Sequence, residues 1–362
     1  MHTSNRRHFL KQGAATLALP SVAIRPARAQ GSPLKVGVVY VSPVAETGWT
    51  YQHDLGRRAI ESTFGNRVAT TVVANISGGQ DAERVFGELA SSGHGLIFGT
   101  SFSHMQPMVK AAGAFPDVKF QHCSGFQRAQ NLSTFEAKYF DGGYLGGIAA
   151  ASVSKTKVIG FVGGFPIPDV VATINALMLG ARSVDPQMVC KVVWLNSWFD
   201  PGREREATTS LMAAGADVLV SMTDTPSAVQ AAENKGAWSI GYASDLRKFA
   251  PRGQLTSITL DWTSVYVEAT RAVLENRWTS TDRWDGIQAG VVKMAPYNTT
   301  IPPKALALVQ AREAELKAGK LKPFAGPIRD ADGKERVARG AVLPDGEIHK
   351  TKWFVEGVQG TM

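Results

Sequence analysis

The chain has 362 residues, 44% of them hydrophobic and 19% charged, with a formal net charge of +8. This length accommodates two domains of ordinary size. Removal of residues 1–29 takes the basic count from 39 to 34 against 31 acidic residues, a net charge of +3. Residues 30–362 contain no basic stripe interleaved with aromatic residues and no run of eighteen apolar residues, so we expect neither a nucleic-acid partner nor a membrane span.

The first 29 residues have the pattern of an export signal. The stretch SNRRHFLK contains the paired arginines Arg6 and Arg7 of a twin-arginine signal, and an apolar stretch then leads to a small-x-small cleavage site at 27–29. A disordered basic tail would explain neither feature. We expect export to the periplasm without a lipid anchor, because neither Cys123 nor Cys190 lies at the mature N-terminus. An oxidising compartment permits a disulfide between them, but two buried free thiols are favoured.

From residue 34 onwards, short β-branched apolar runs alternate with helical patterns, which is typical of parallel βαβ units. The pattern restarts after Lys155. The predicted strands are 36–41, 67–74, 95–98, 119–122, 157–162, 189–195, 217–220, 238–242, 255–259 and 286–294. The predicted helices are 51–64, 81–90, 103–115, 141–153, 168–184, 201–214, 227–235, 262–275 and 302–318.

Two similar halves joined by short connections predict an α/β architecture of two doubly wound parallel-sheet lobes with a cleft between them. We expect residues 30–154 plus 261–284 to form the first lobe, and 155–260 plus 285–320 the second. Residues 321–362 are expected to pack on the body as short extended pieces. Asp332-Gly333 and Asp345-Gly346 in this extension are hairpin-turn signals.

Three aromatic residues follow predicted strands, where ligands bind in open α/β sheets: Trp49 and Phe102 in the first half, Trp198 in the second. A single such residue often only covers the core, but rings from opposite lobes would sandwich a flat ligand. Asp224 or Asp245 would then accept a hydrogen bond from a ring N–H or an exocyclic amine. Helix capping is the alternative role for either carboxylate.

Signatures of enzymes and of resident cofactors are missing from the sequence. It contains neither the glycine-rich motifs that bind nucleotide phosphates nor the spacings of metalloproteases and serine hydrolases. The scattered histidines make a metal site improbable by spacing. We therefore expect no cofactor, no metal and no enzymatic activity. A nucleoside-cleaving hydrolase that uses loop carboxylates remains an alternative, as does a ligand sensor.

Several motifs together resemble the basic membrane protein family of substrate-binding proteins, which serve ABC transporters for purine nucleosides. The resemblance covers about 34–298 and is carried by these stretches: ETGW at 46–49, PDVKF at 116–120, GYLGG at 143–147, FVGG at 161–164, SWFDP at 197–201, GADV at 215–218 and SD at 244–245. It implies the type I periplasmic-binding-protein fold, with a purine held between Trp49 and Trp198.

The resemblance also maps an acidic family residue onto Asp245 and a glycine-rich loop onto 223–225. A family lysine that helps hold the ribose is absent from the stretch LTSITLDW at 255–262, which favours a free base such as adenine. The candidate ligand-binding residues are therefore Trp49, Trp198, Asp245, Asp224, Thr223, Phe102, Glu46 and Trp262. We expect a monomer that captures a purine and delivers it to a permease in the inner membrane.

Overall fold

The computed structural model describes residues 32–362, so the predicted export signal lies outside the described residues. The strands are β1 Leu34–Val39, β2 Val68–Val73, β3 Leu96–Gly99, β4 Lys119–Cys123, β5 Leu132–Ala137, β6 Val158–Gly163, β7 Val189–Trp194, β8 Val218–Met222, β9 Trp238–Ala243, β10 Gln254–Leu260, β11 Asp282–Asp285, β12 Val292–Met294, β13 Ile328–Arg329, β14 Glu335–Val337 and β15 Val358–Gln359. The helices are α1 Trp49–Phe64, α2 Gly79–Ser91, α3 Met105–Ala114, α4 Tyr139–Val153, α5 Pro168–Arg182, α6 Pro201–Ala213, α7 Ser227–Asn234, α8 Thr263–Leu274, α9 Pro303–Lys317 and α10 Asp345–Ile348.

The first sheet has the strand order β11-β5-β4-β3-β1-β2, and all its neighbouring strands are parallel. The apolar runs at its centre are fully buried, as expected for strands covered on both faces. The strand order reverses between β1 and β3. In a doubly wound sheet, the loops after these two strands border the ligand crevice.

The second sheet repeats this order as β12-β10-β9-β8-β6-β7-β15. Its neighbouring strands are parallel except that β12 runs antiparallel to β10. Here the order reverses between β6 and β8, so the loops after these strands border the same crevice from the other side. The α/β prediction of two doubly wound sheets is confirmed.

The chain passes between the two sheets after β5, after β10 and between β11 and β12. The first passage lies at Lys138, not at the predicted boundary of 154, because α4 packs against α5 and against the second sheet. The single strand predicted over 286–294 is also wrong. Only residues 292–294 of this stretch form a strand, β12, whereas 287–290 form a turn and β11 has already ended at Asp285.

Glycines allow α4 and α5 to pack with their backbones in contact. A Cβ atom at Gly147 would overlap the carbonyl oxygen of Leu177, and one at Gly180 would overlap that of Tyr144. Gly142 and Gly146 instead face side chains of β10 and β9. The glycines of α4 therefore serve close helix–helix packing as well as helix–sheet packing.

The C-terminal segment docks on the body at several points. Strands β13 and β14 form an antiparallel hairpin around Gly333, and β15 pairs with the edge strand β7. Phe354 and Val355 are buried in the main core. The turn predicted at Asp345-Gly346 is wrong, since these residues begin the short helix α10. Across residues 32–362, no helix has both the length and the apolar character needed to cross a membrane.

Cys123 and Cys190 are free and buried, which confirms the prediction made for them. Burial raises the pKa of the Cys190 thiol to about 12. Both thiols behave as small apolar groups within the sheets.

Candidate functional site

A cavity lies where the loops after β1, β3, β6 and β8 converge. Its walls are mainly apolar and aromatic, with a few polar groups among them, which is the usual character of a small-molecule site. The lining residues are Val41, Trp49, Thr100, Ser101, Phe102, Ser124, Ile167, Asp169, Val170, Trp198, Met222, Thr223, Asp224 and Tyr242. Both sheets therefore contribute to the cavity wall.

Trp49 forms the wall on the side of the first sheet. It begins α1, directly after the loop that leaves β1. Its indole Nε1–H donates to the carbonyl oxygen of Thr100 at 2.8 Å. Its ring packs edge-on against His53 and Trp262, with centroid distances of 4.6 and 5.9 Å. These contacts hold the indole in one orientation at the cavity.

Trp198 lines the cavity from the loop after β7, which belongs to the second sheet. Its ring lies against Gly164, where a Cβ atom would overlap it, and 5.2 Å from the ring of Phe165. Its carbonyl oxygen accepts a hydrogen bond from the backbone N–H of Asp224 at 2.8 Å. The second indole is thus supported by the loops after β6 and β8.

Asp224 connects the two lobes. Its carboxylate, after β8, accepts hydrogen bonds from the Ser42 hydroxyl and, at 3.3 Å, from the backbone N–H of Thr50 in the first turn of α1. The positive end of the helix dipole favours a carboxylate there. Burial raises the pKa of Asp224 to about 6, while the donors from Ser42 and Thr50 oppose the rise.

Ser244 makes a second contact between the lobes. Its hydroxyl oxygen, after β9, accepts hydrogen bonds from the backbone N–H of Gly48 at 2.9 Å and from the Gln52 side chain at 2.8 Å. Gly48 has a φ of +93° and lies against Asp224, so a side chain would be both strained and obstructed there. The described structure therefore has its lobes in contact across the cavity.

Asp169 is a second carboxyl at the cavity, and the sequence did not identify it. It lies in the first turn of α5, where it accepts a hydrogen bond from the N–H of Val170 at 2.9 Å. It lines a second, smaller pocket together with the buried carboxyl of Glu136, on β5. Burial, together with the charge of Glu136, raises the pKa of Asp169 well above its ordinary value.

Five of the eight residues predicted to bind the ligand line the cavity together: Trp49, Phe102, Trp198, Thr223 and Asp224. The other three candidates, Asp245, Glu46 and Trp262, lie outside its lining.

Asp245 does not face the cavity, although it follows β9. Its carboxylate accepts hydrogen bonds from the guanidinium of Arg247 and, at 2.9 Å, from the Gln254 amide. Glu46 points to solvent and forms an ion pair with Lys248 at 2.8 Å. Both carboxylates are neutralised by nearby bases at the protein surface.

Trp262 is only 1% exposed and also lies outside the lining. Its ring stacks on His53 at 5.0 Å and packs edge-on against Phe135. It therefore supports Trp49 from behind, because its position just before α8 places it within the core.

Asp169 and Tyr242 are the main residues that the sequence reasoning missed. The helix predicted to start at Pro168 follows a strand, and the first turn of such a helix faces the crevice. That rule could have identified Asp169. Tyr242 is the penultimate residue of β9. Nothing in the sequence of the predicted strand distinguished it as a residue that lines the cavity.

A model of the Bmp family, described as ABC transporter substrate-binding protein PnrA-like, matches residues 34–324. The chain belongs to this family. This confirms the resemblance based on the motifs above. Residues 325–362 lie beyond the matched region.

Two relatives match over most of the chain. A purine-binding protein of Brucella abortus (strain 2308) is 43% identical over 325 residues, which cover 90% of this chain and 93% of the relative. A putative ABC transporter glucose-binding protein of Haloferax volcanii is 32% identical, with 91% and 82% covered. Both relatives are named as binding proteins rather than as enzymes.

The fold is shared with solved solute-binding proteins. An ABC transporter solute-binding protein from Aeropyrum pernix K1 superposes with a TM-score of 0.69 at 16% identity, covering 84% of this chain and 95% of that one. This likeness establishes the type I periplasmic-binding-protein fold.

Proposed function

We propose that this protein captures a purine, either a free base such as adenine or a purine nucleoside, and delivers it to an ABC transporter permease. The observation that carries the proposal is the cavity with an indole on each side, Trp49 from one lobe and Trp198 from the other. Stacking a base on such a ring contributes about 1–3 kcal/mol. A micromolar dissociation constant needs about 8 kcal/mol in total, within reach of two rings and a few hydrogen bonds.

The polar groups of the cavity suit a nitrogen heterocycle. Asp169 presents a carboxyl towards the cavity, and Thr223 adds a hydroxyl. The carboxylate oxygens of Asp224 already accept hydrogen bonds from Ser42 and Thr50. We therefore assign the hydrogen bond from a ligand N–H to Asp169 rather than to Asp224 or Asp245. The Brucella relative, named as purine-binding, supports this ligand class.

Delivery depends on closure of the lobes. A ligand that contacts both indoles stabilises the closed form, and a permease that recognises this form receives only loaded protein. We further propose that the twin-arginine signal exports the chain to the periplasm, where it acts as a monomer without a lipid anchor. Cleavage after Ala29, measured by mass spectrometry of periplasmic protein, would test the export step.

Isothermal titration calorimetry tests the ligand class. The protein is freed of bound ligand by reversible unfolding and then titrated with adenine, adenosine, guanosine and D-glucose, the last because one relative is named as glucose-binding. We expect heat with at least one purine and none with glucose. A response to glucose together with no response to any purine would overturn the proposal.

A further inference from the structure

The end of the chain, beyond the region matched by the family model, is fixed to the second lobe. The buried side chain of Asn175, on α5, donates to the carbonyl oxygen of Trp353 and accepts from the N–H of Val355, each at 2.9 Å. Arg182 of the same helix forms an ion pair with Glu356 at 3.0 Å, and β15 pairs with β7. Residues 353–359 therefore move with the second lobe.

The chain just before α10 is fixed to the same lobe. The backbone N–H of Leu343 donates to the carbonyl oxygen of Phe324 at 3.1 Å. The Phe324 ring packs edge-on against Phe140 of α4 at 5.3 Å, and α4 packs against the second sheet. Ile348 is buried, and α10 itself contacts α5. Helix α10 is therefore attached to the second lobe through the chain on both sides of it.

His349, directly after α10, instead contacts the first sheet. Its ring stacks on Trp284 of β11, with centroids 3.6 Å apart and planes inclined by 29°. Its Nδ1 lies 3.3 Å from a carboxyl oxygen of Glu136 on β5. Strands β11 and β5 are neighbours in the first sheet. A residue carried by the second lobe therefore contacts two adjacent strands of the first.

These contacts lie where the chain passes between the lobes. The backbone N–H of Lys138, at the first passage, donates to the carbonyl oxygen of Asp285 at 2.8 Å, so two of the passages run side by side. The Lys138 ammonium pairs with Asp345 of α10 at 2.7 Å and lies 4.9 Å from the centre of the Trp284 ring. Helix α10 and His349 are thus attached to both of these passages.

We propose that residues 345–359, which we call the clasp, join the two lobes across the hinge and stabilise the closed form. The rings of Trp284 and His349 belong to different lobes, so a rotation that opens the cleft separates them and exposes their faces to water. The ion pair between Lys138 and Asp345 contributes less, because the Asp345 side chain is 61% exposed. This inference rests on the proposed closure of the lobes and not on the identity of the ligand.

The position of His349 separates a clasp from a segment that only stabilises the fold. A purely stabilising segment needs contacts with one lobe, whereas this segment is attached to the second lobe and reaches across to the first. His349 lies outside the lining of the main cavity. Its substitution therefore affects ligand binding only through the angle between the lobes.

The first test measures the distance between the lobes in ligand-free protein by double electron–electron resonance. Spin labels are placed at Ser91→Cys on α2 and Ser210→Cys on α6, both exposed, while the two natural cysteines are buried. His349→Ala should lower the ratio of closed to open molecules roughly two- to tenfold. His349→Phe, which keeps a ring on Trp284, should remain closer to wild type.

Lys352→Ala, an exposed neighbour in the same segment, is the matched control and should leave the distances unchanged. A ligand-free wild type without a closed population would overturn the inference. So would a distance distribution that His349→Ala leaves unaltered.

The second test is the affinity for adenine measured by calorimetry. A smaller closed population weakens apparent binding in proportion when the open form predominates, so His349→Ala should raise the dissociation constant by roughly the factor found from the distances. A double-mutant cycle with Trp284→Leu tests the pairing of the two rings. The double variant should bind about as well as the weaker single variant. Losses that multiply would contradict the pairing.

The two tests distinguish failure of this inference from failure of the proposed function. If His349→Ala opens the ligand-free protein while no purine binds, the clasp stands and the purine assignment fails. If adenine binds, and His349→Ala changes neither the distances nor the affinity, the clasp is refuted and the purine assignment stands.

Discussion

The carboxylate of Asp224 accepts a hydrogen bond from the hydroxyl of Ser42, and this contact joins the second lobe to the first. Both groups are buried, at 3% and 2% exposure. Ser42 is in turn hydrogen-bonded to the Thr50 hydroxyl at 2.6 Å. A buried, charged contact of this kind is lost when the lobes separate, so it stabilises the closed form specifically.

Ser42→Ala should weaken ligand binding by removing this donor without changing the lining of the main cavity. A hydrogen bond to a charged group contributes about 1.5–3 kcal/mol, so we expect roughly a tenfold or greater rise in the dissociation constant, measured by calorimetry. Ser62→Ala removes an exposed hydroxyl on α1, the helix that contains Thr50, and should have no effect. Equal affinities for the two variants would show that the contact does not support closure.

Asp224 should also make closure pH-dependent. Its pKa is about 6 in the closed structure and returns towards about 3.9 when separation of the lobes exposes it to water. At a pH between these two pKa values, Asp224 is protonated in the closed form and ionised in the open form. Affinity should therefore rise as the pH falls from about 6 towards about 4. The difference between wild type and Asp224→Asn, titrated at about pH 5 and about pH 7, isolates this effect. An identical pH response in the two proteins would refute it.

The two indoles should contribute separately to affinity. Trp49→Ala and Trp198→Ala should each cost about 1–3 kcal/mol, which is roughly a 5- to 150-fold loss. The phenylalanine variants should lose less, because they keep a ring. Trp278→Phe changes a partly buried tryptophan outside the cavity lining and serves as the control for calorimetry and thermal unfolding. Retained affinity in both alanine variants would remove the basis for the sandwich.

Gly147→Ala should destabilise the fold by forcing α4 away from α5. Its Cβ atom would overlap the carbonyl of Leu177 and lie 2.7 Å from the N atom of Ala181. Overpacking against backbone costs about 1–3 kcal/mol, which should lower the free energy of unfolding measured in denaturant. Gly87→Ala, in α2 with open space around it, should instead be neutral or slightly stabilising. The same stability for both variants would argue against close packing of the two helices.

The sequence predicted the fold well because parallel strands buried on both faces produce unmistakable apolar runs, such as that of β6. It also predicted the two indoles, because strand-end loops face the crevice in any sheet of this kind. Asp245, which the sequence also assigned to the site, lies outside the cavity lining, because its carboxylate is hydrogen-bonded to Arg247 and Gln254. Only tertiary structure determines such side-chain pairing.

The contribution of the C-terminal segment was not visible in the sequence either. The contact of His349 with Glu136 spans 213 positions, and no local pattern encodes an encounter so distant along the chain. Trp262 was misplaced for a similar reason. Its position after β10 resembles that of Trp49 after β1, but the packing of His53 and Phe135 around it closes it off from the cavity.

Strand β15 has a consequence for the solubility of the protein. It pairs with Cys190 and Lys191 of β7, which would otherwise be the edge of the second sheet and expose the unpaired backbone N–H and C=O groups of these residues. An uncovered edge is a template on which strands of other molecules assemble. The two residues of β15 therefore protect the folded protein from aggregation through this edge, and a chain cut short before Val358 should self-associate while its ligand cavity remains lined as before.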